Sequence, residues 1–248
     1  MFKKWQTFLL MITCSLCLSG CSQEKDSSTL TFGVSAEYPP FEFYQNGQIV
    51  GFDIDLAKLI GQELHKEIIF QDMQFSTLLA ALGSGQIDAA ISTITITPER
   101  EQSFDFSEPY YFEGLAAVFP KDHPIASEQE LANKNVATLF GSTMEIWLKK
   151  NVPTASLVLV DSTNQAIETV KAGHVDCAVV DAAQAIAFSD QNPGLAYAIV
   201  AQAEEGHGIA IRKKSPLKKE FNQALKQLKE RGEIQKLKEK WLKDGSNK

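Results

Sequence analysis

The sequence predicts an α/β protein built as two similar lobes, and three observations predict it. From Leu30 onward, short aliphatic runs alternate with segments whose apolar residues recur at helical spacing, the mark of strands and helices packed in layers. One pattern, Gly-x-aliphatic-Asp-small-Ala-aliphatic, occurs twice, as Gly85-Gln86-Ile87-Asp88-Ala89-Ala90-Ile91 and as Gly173-His174-Val175-Asp176-Cys177-Ala178-Val179. Both copies fall where a helix turns into a strand, as two related lobes would show. Finally, 248 residues, 44% of them hydrophobic, suffice for one large domain or two modest ones without disulfide staples.

The elements follow in order. A strand is expected over 30–34, then a hairpin whose arms, 41–44 and 49–52, flank Asn46-Gly47, a pair tolerant of positive φ. Leu56, Leu59, Ile60 and Leu64 share one helix face, with Asp53 or Asp55 placed to cap its first turn. A strand over 68–70, a helix over 75–82 and a strand over 87–91 complete the first series. The second runs strand 135–139, helix 143–150, strand 157–160, helix 164–172 and strand 176–180. Leu217, Phe221, Ala224, Leu225 and Leu228 then line one helix face, and Ile234, Leu237 and Trp241 another. Their lysine-rich outer sides alternate with glutamate, so core packing explains them better than membrane contact.

The first residues obey different rules. Lys3 and Lys4 precede an apolar run over 8–18, interrupted by Thr13 and Ser15, well short of the roughly 20 residues that span a bilayer. This is a signal peptide over 1–20, and its end, Leu18-Ser19-Gly20-Cys21, resembles a bacterial lipobox that makes Cys21 a lipidated first residue. The polar, aperiodic stretch over 21–28 is then a tether that holds the domain at the membrane. Cys14 and Cys17 have redox or metal spacing, but they lie in the segment that processing removes.

With 24 basic against 31 acidic side chains and a net charge of −7, nucleic acid is excluded as a partner. Catalytic machinery is not visible either. There is no Gly-x-Ser-x-Gly elbow, and His65, His123, His174 and His207 fall in polar, turn-like settings. No metal-ligand spacing survives processing, Cys177 reads as an inert core thiol, and no glycine-rich loop stands between strand and helix to bind a cofactor phosphate.

What remains points to binding. Ser92-Thr93-Ile94-Thr95-Ile96-Thr97-Pro98-Glu99-Arg100 leaves a buried strand and starts a helix with proline at its first position. Hydroxyls, free N–H groups and the Arg100 fork thus converge on a spot suited to a carboxylate, although a capped helix with a solvated arginine fits the spacing equally well. Tyr38 offers a flat face on a loop stiffened by Pro39 and Pro40. Gly141-Ser142-Thr143 opens a second helix with further N–H donors, and Asp181 ends a strand where it can meet an ammonium. All lie at strand ends of two α/β units, where such sheets bind ligands.

Tyr38-Pro39-Pro40-Phe41-Glu42-Phe43, Gly51-Phe52-Asp53-Ile54-Asp55-Leu56-Ala57, Gly85-Gln86-Ile87-Asp88, Ile94-Thr95-Ile96-Thr97-Pro98-Glu99-Arg100 and Asp105-Phe106-Ser107-Glu108-Pro109-Tyr110-Tyr111 resemble, in order, the motifs of the family 3 extracellular solute-binding proteins. That family includes the histidine-, lysine/arginine/ornithine- and glutamine-binding proteins of ABC importers. The resemblance implies a two-lobe, type II periplasmic-binding-protein-like fold hinged by two crossover strands, near Phe112-Glu113 and Gly206-His207. Lobe 1 would take 29–112 and 207–244, and lobe 2 would take 113–206.

It also implies a site. Arg100, Thr95 and Thr143 would hold the α-carboxylate of an amino acid, Asp181 with Ser92 and Thr93 its ammonium, and Tyr38 and Phe75 its side chain, with Leu139 nearby. Ser35 stands where several basic-residue binders carry an aspartate, leaving Glu37, Glu113 or Glu145 as candidates for a distal cation and the aromatic faces for cation–π contact. The expectation is a monomeric, lipid-anchored, extracytoplasmic receptor without cofactor that delivers arginine or another basic or polar amino acid to an ABC permease. Glutamine and cystine stay open, and the alternatives are a cyclohexadienyl (prephenate or arogenate) dehydratase on the same fold and an amino-acid sensor or adhesin.

Overall fold

The computed structural model describes residues 28–202 and 205–242. The signal peptide, Cys21 and most of the tether lie outside the described residues. Two five-stranded sheets form the two lobes. The first contains β1 (Thr29–Val34), β5 (Glu67–Asp72), β6 (Ala89–Ala90), β7 (Phe104–Phe106) and β13 (Ala210–Arg212), in the order β5-β1-β6-β13-β7. The second contains β8 (Leu115–Pro120), β9 (Asn135–Leu139), β10 (Ser156–Val160), β11 (Cys177–Asp181) and β12 (Leu195–Ala201), in the order β10-β9-β11-β8-β12. In each, three neighbouring strands are parallel and the fourth and fifth pair antiparallel. A small hairpin sheet, β2 (Glu37–Tyr38), β3 (Glu42–Gln45) and β4 (Gln48–Val50), follows the first strand.

The repeated sequence pattern has one physical cause in both lobes. Gly85 and Gly173 adopt left-handed φ values of 81° and 71° just past a helix, as chain reversal there requires. Three residues on, the aspartate bonds to the neighbouring parallel strand: Asp88 Oδ2 accepts the Thr31 N–H of β1 at 2.9 Å, and Asp176 Oδ2 accepts the Asn135 N–H of β9 at 2.7 Å. Aliphatic residues on either side then enter the core.

Helices cover both faces of each sheet. In lobe 1, α1 (Phe52–Leu64), α7 (Leu217–Glu230) and α8 (Glu233–Trp241) cover one face through Phe52, Leu56, Ile60 and Phe221, and α2 (Leu78–Ser84) the other through Leu78 and Leu82. Phe221 packs against Phe32 of β1 with ring centroids 5.6 Å apart, so the last helices are part of the first lobe's core. In lobe 2, α5 (Thr163–Lys171) and α6 (Ala182–Gln191) bury Ile167, Val170 and Phe188 on one face, while α4 (Thr143–Asn151) places Met144 and Leu148 on the other.

Some expectations shift. The helix expected over 75–82 begins as a single 3-10 turn, Phe75–Thr77, and is α-helical only over Leu78–Ser84. Of the strand expected over 87–91 only Ala89–Ala90 is regular strand, although the Asp88 and Ile91 N–H groups also donate to β1 carbonyls. Neither Asp53 nor Asp55 caps α1; its N-cap is Gly51, at φ 136° with no side-chain cap. A Cβ at Gly51 would sit 2.0 Å from the Phe41 carbonyl oxygen, so the hairpin packs against the helix start too closely for any side chain. Asp53 turns into the core instead, and Asp55 accepts from Lys240 and Trp241 of α8.

The chain passes between the sheets twice, from β7 to β8 and from β12 to β13. The two passages run side by side. The Tyr110 N–H donates to the His207 carbonyl at 3.0 Å, and the His207 N–H to the Tyr111 carbonyl at 2.9 Å. His207 is therefore buried between them, 3% exposed, and not in the polar turn expected for it.

Candidate functional site

The cleft between the lobes opens beside those passages. Its lobe 1 wall starts with the segment after β6, where Ser92 and Thr93 are buried and Thr95 half-buried. The chain then enters α3 (Pro98–Ser103), whose N-cap Thr97 accepts the Arg100 N–H on its side chain, with proline in the first turn. That cap fixes the direction of Arg100. Its Nη1 donates to the Thr95 carbonyl at 2.8 Å, and its Nη2 reaches across to the Gly141 carbonyl of lobe 2 at 3.2 Å. The guanidinium carbon lies 5.9 Å from the Phe75 ring centroid, and burial lowers the guanidinium pKa to about 10.

Lobe 2 supplies the opposite wall. Ser142 is the N-cap of α4: its Oγ accepts the Glu145 N–H at 3.2 Å, and Glu145 Oε2 accepts the Gly141 N–H at 2.8 Å. Thr143 Oγ1 meets Thr95 Oγ1 across the cleft at 3.1 Å. At the end of β11, Asp181 Oδ2 accepts from the Tyr38 hydroxyl at 2.5 Å, a further bond from lobe to lobe. Thr163 and Asn164 both donate to the Glu37 carbonyl, so the hairpin is tied to α5 as well.

Tyr38, Phe75, Thr93, Thr95, Arg100, Leu139, Thr143 and Asp181 line one small pocket. Ser142 of the helix-start motif lines it too, as does Met144, which was not anticipated because it carries no hydroxyl or charge to mark it. Ser92 stands behind the wall: its Oγ donates to Glu42 Oε1 at 2.6 Å and accepts the Ser35 N–H at 3.2 Å. Drawn together by the bonds across the cleft, the walls leave about 10 Å³ for water centres. On the side of the chain crossings a wider groove of about 400 Å³ shares Thr95, Thr143 and Asp181 with it and continues past Trp147 to Glu113 and His207.

Ser35, Glu37 and Glu145 do not line the pocket. Glu145 is committed locally, since its second carboxylate oxygen accepts from Lys149 Nζ at 2.5 Å. The Glu37 side chain is exposed, and only its carbonyl faces lobe 2.

Electrostatically the two ends of the pocket differ in sign. Arg100 brings a cation with its N–H donors to one end, and Asp181, with Glu113 near it, brings carboxyl acceptors to the other. Burial, reinforced by Glu113, pushes the Asp181 carboxyl up to about 7, and burial alone pushes Glu113 up to about 8. Glu113 Oε2 accepts the Ala183 N–H at 2.7 Å, and Oε1 lies 3.3 Å from His207 Nε2. Burial lowers the His207 pKa, which favours the neutral ring. Glu113, Asp181 and His207 each bring one donor atom within 4.8 Å of the others. Such a grouping suits a single positive charge, whether a cation or an ammonium.

A cleft between two α/β lobes, joined by two crossings and charged oppositely at its ends, defines a type II solute-binding protein. The chain belongs to the bacterial extracellular solute-binding proteins, family 3, whose model matches residues 30–244. It is 36% identical to the arginine-binding extracellular protein ArtP of Bacillus subtilis, over 97% of this chain and 98% of that protein. It is 31% identical to the L-cystine-binding protein TcyJ of Escherichia coli, over 88% of this chain and 84% of that protein. An ancestral arginine-binding protein, solved bound to arginine, superimposes with a TM-score of 0.83 at 40% identity, covering 86% of this chain and 98% of that one. These relatives are binding proteins, not enzymes, and the dehydratase reading falls with them.

Proposed function

We propose that this protein is a lipid-anchored extracytoplasmic receptor that captures L-arginine as a monomer and delivers it to an ABC permease. The observation that carries the reading is the pairing of Arg100 at one end of the pocket with Asp181 at the other, which matches the two charges of an amino acid. Arg100, Thr95 and Thr143 would take the α-carboxylate, the guanidinium exchanging its two carbonyl acceptors for carboxylate oxygens. Asp181 would take the ammonium together with oxygens of Ser92 and Thr93. The aliphatic and guanidinium parts of the side chain would lie between Tyr38 and Phe75, with Leu139 beside them, held by cation–π contact. Arginine-binding relatives support this choice of side chain. Closure of lobe 2 (113–206) on lobe 1 (29–112 with 207–244) would then follow from contacts that a bound amino acid makes with both walls. Processing after residue 20 and a lipid on Cys21 would hold the receptor near its permease, with 21–28 as the tether.

A thermal-shift panel of the standard amino acids with ornithine and cystine tests the reading. Ligand at 100 times its Kd stabilises by about 2.7 kcal/mol. Arginine is expected to give the largest shift. A dicarboxylic amino acid as the best ligand, or no shift with any of them, overturns the proposal, whereas cystine or glutamine in first place keeps the receptor and changes its substrate. For the anchor, Cys21→Ser is expected to move the protein from the membrane fraction to the soluble one.

A further inference from the structure

Directly behind Ser92 and Thr93 lie two carboxyl groups that the binding scheme does not use. Glu42 of β3 and Asp53 of α1 are both 0% exposed. Each spends one oxygen on the pocket wall: Glu42 Oε1 accepts the Ser92 hydroxyl at 2.6 Å, and Asp53 Oδ2 accepts the Thr93 N–H and the Tyr110 hydroxyl, both at 2.9 Å. The remaining oxygens, Glu42 Oε2 and Asp53 Oδ1, are out of solvent and receive no N–H or O–H from any other residue. The two carboxyl groups are held by consecutive residues, Ser92 and Thr93, and each is the other's buried acidic neighbour. Ionised carboxylates are acceptors only, so a bond between them needs a proton on one, and two bare charges side by side in a buried site repel.

We infer that Glu42 and Asp53 share one proton and, as a bonded pair, are positioning residues that hold Ser92 and Thr93 in shape for the ligand's ammonium. Thr93 shows what is being held. It has φ 46°, a left-handed backbone that a β-branched residue rarely adopts, and its N–H is tied to Asp53. Thr93 Oγ1 donates to the Ser92 carbonyl at 2.8 Å, and Thr93 lines the pocket. The assignment of the proton follows from the partners. Asp53, with two donors on one oxygen, is the better anion, and Glu42, facing Asp53, keeps the proton, since burial and that neighbour raise its pKa well above the usual carboxylate range. The other titratable groups facing the pair are Tyr110, His207 and Asp181, none of which is a permanent cation able to replace the proton.

The role in ligand binding rests on the receptor reading, but the shared proton does not, and the experiment separates them. Infrared difference spectra of wild type against Glu42→Gln, at pH 8 with saturating L-arginine, are expected to show a protonated-carboxyl C=O band present in wild type and lost in the variant. No such band overturns the shared proton, whatever the protein binds. In arginine titrations Glu42→Ala is expected to raise Kd at least thirtyfold. Glu42→Gln offers an N–H in place of the proton and still accepts from Ser92, so it should recover at least tenfold of that loss. Equal losses in the two variants overturn the positioning role, because the negative charge of Glu42 would then be what matters. If wild type itself fails to bind arginine, the receptor reading fails alone, and the infrared comparison without ligand still decides the pair.

Discussion

Removing the Arg100 guanidinium is the sharpest perturbation of the pocket. In Arg100→Ala the two donors now aimed at Thr95 and Gly141 are lost, and with them the fork that would hold a carboxylate. Hydrogen bonds to charged groups contribute roughly 1.5–3 kcal/mol each, and truncating one member of a desolvated pair costs roughly 2–5 kcal/mol. A loss of about 3–5 kcal/mol in binding, roughly a 150- to 4,000-fold rise in Kd, is expected. Stability without ligand should change little, because Arg100 is only half-buried and water can satisfy the Thr95 and Gly141 carbonyls it leaves. Arg100→Lys keeps the charge but not the fork and should fall between. Isothermal titration with L-arginine, beside a thermal melt of each variant, measures both quantities. A Kd within threefold of wild type in a folded Arg100→Ala protein would refute the assignment of the carboxylate to Arg100.

The remaining predictions concern protons, backbone and thiol. With the Asp181 pKa near 7 in the free protein, the ammonium must displace a proton below that pH, so affinity for arginine should fall by up to about tenfold per unit as pH drops from 7 to 5; a flat titration series refutes it. For stability without ligand the sign is reversed. Asp53, Asp181 and Glu113, at about 6, 7 and 8, bind protons in the native state that the unfolded chain has released above about pH 4, so the denaturation midpoint should decline from pH 5 to pH 8, and a rise would contradict these assignments. Gly51→Ala should cost about 3 kcal/mol or more, or prevent folding, because its Cβ meets the Phe41 carbonyl; denaturant unfolding measures it. Cys177 is buried and its thiol pushed up to about 12, so its peptide should take up a thiol reagent only after unfolding, as followed by mass spectrometry.

What the sequence revealed and what it hid have physical reasons. The repeated Gly-x-aliphatic-Asp pattern was readable because a left-handed turn, a capped strand start and a buried strand each demand a residue type at a fixed offset. Thr97, Pro98 and Arg100 were readable because helix capping is local. Phe75 reads as core from spacing alone and joined the site only through the family motifs. Strands β8, β12 and β13 escaped because they pair with partners distant in sequence, and two-residue β6 is defined by its neighbours more than by its own residues. His207 looked like a turn residue because nothing nearby reveals that a second passage of chain runs along it. The Asp53 reading failed for a related reason: a first-turn aspartate is ordinarily a cap, and only the fold brings Thr93 and Tyr110 to it.

The position of β13 has a consequence for how the protein comes into being. That strand lies between β6 and β7 in the first sheet, pairing with both, yet it is made after the whole of the second sheet. A chain emerging from its N-terminus therefore completes the sheet from β8 to β12 while β6 and β7 still have open edges. The lobe that begins first is finished last, by the final strand and the two helices that seal its core. A chain cut short after β12 would keep one lobe whole and leave the other with β6 as an open edge and β7 without a partner, the form most exposed to aggregation and proteolysis.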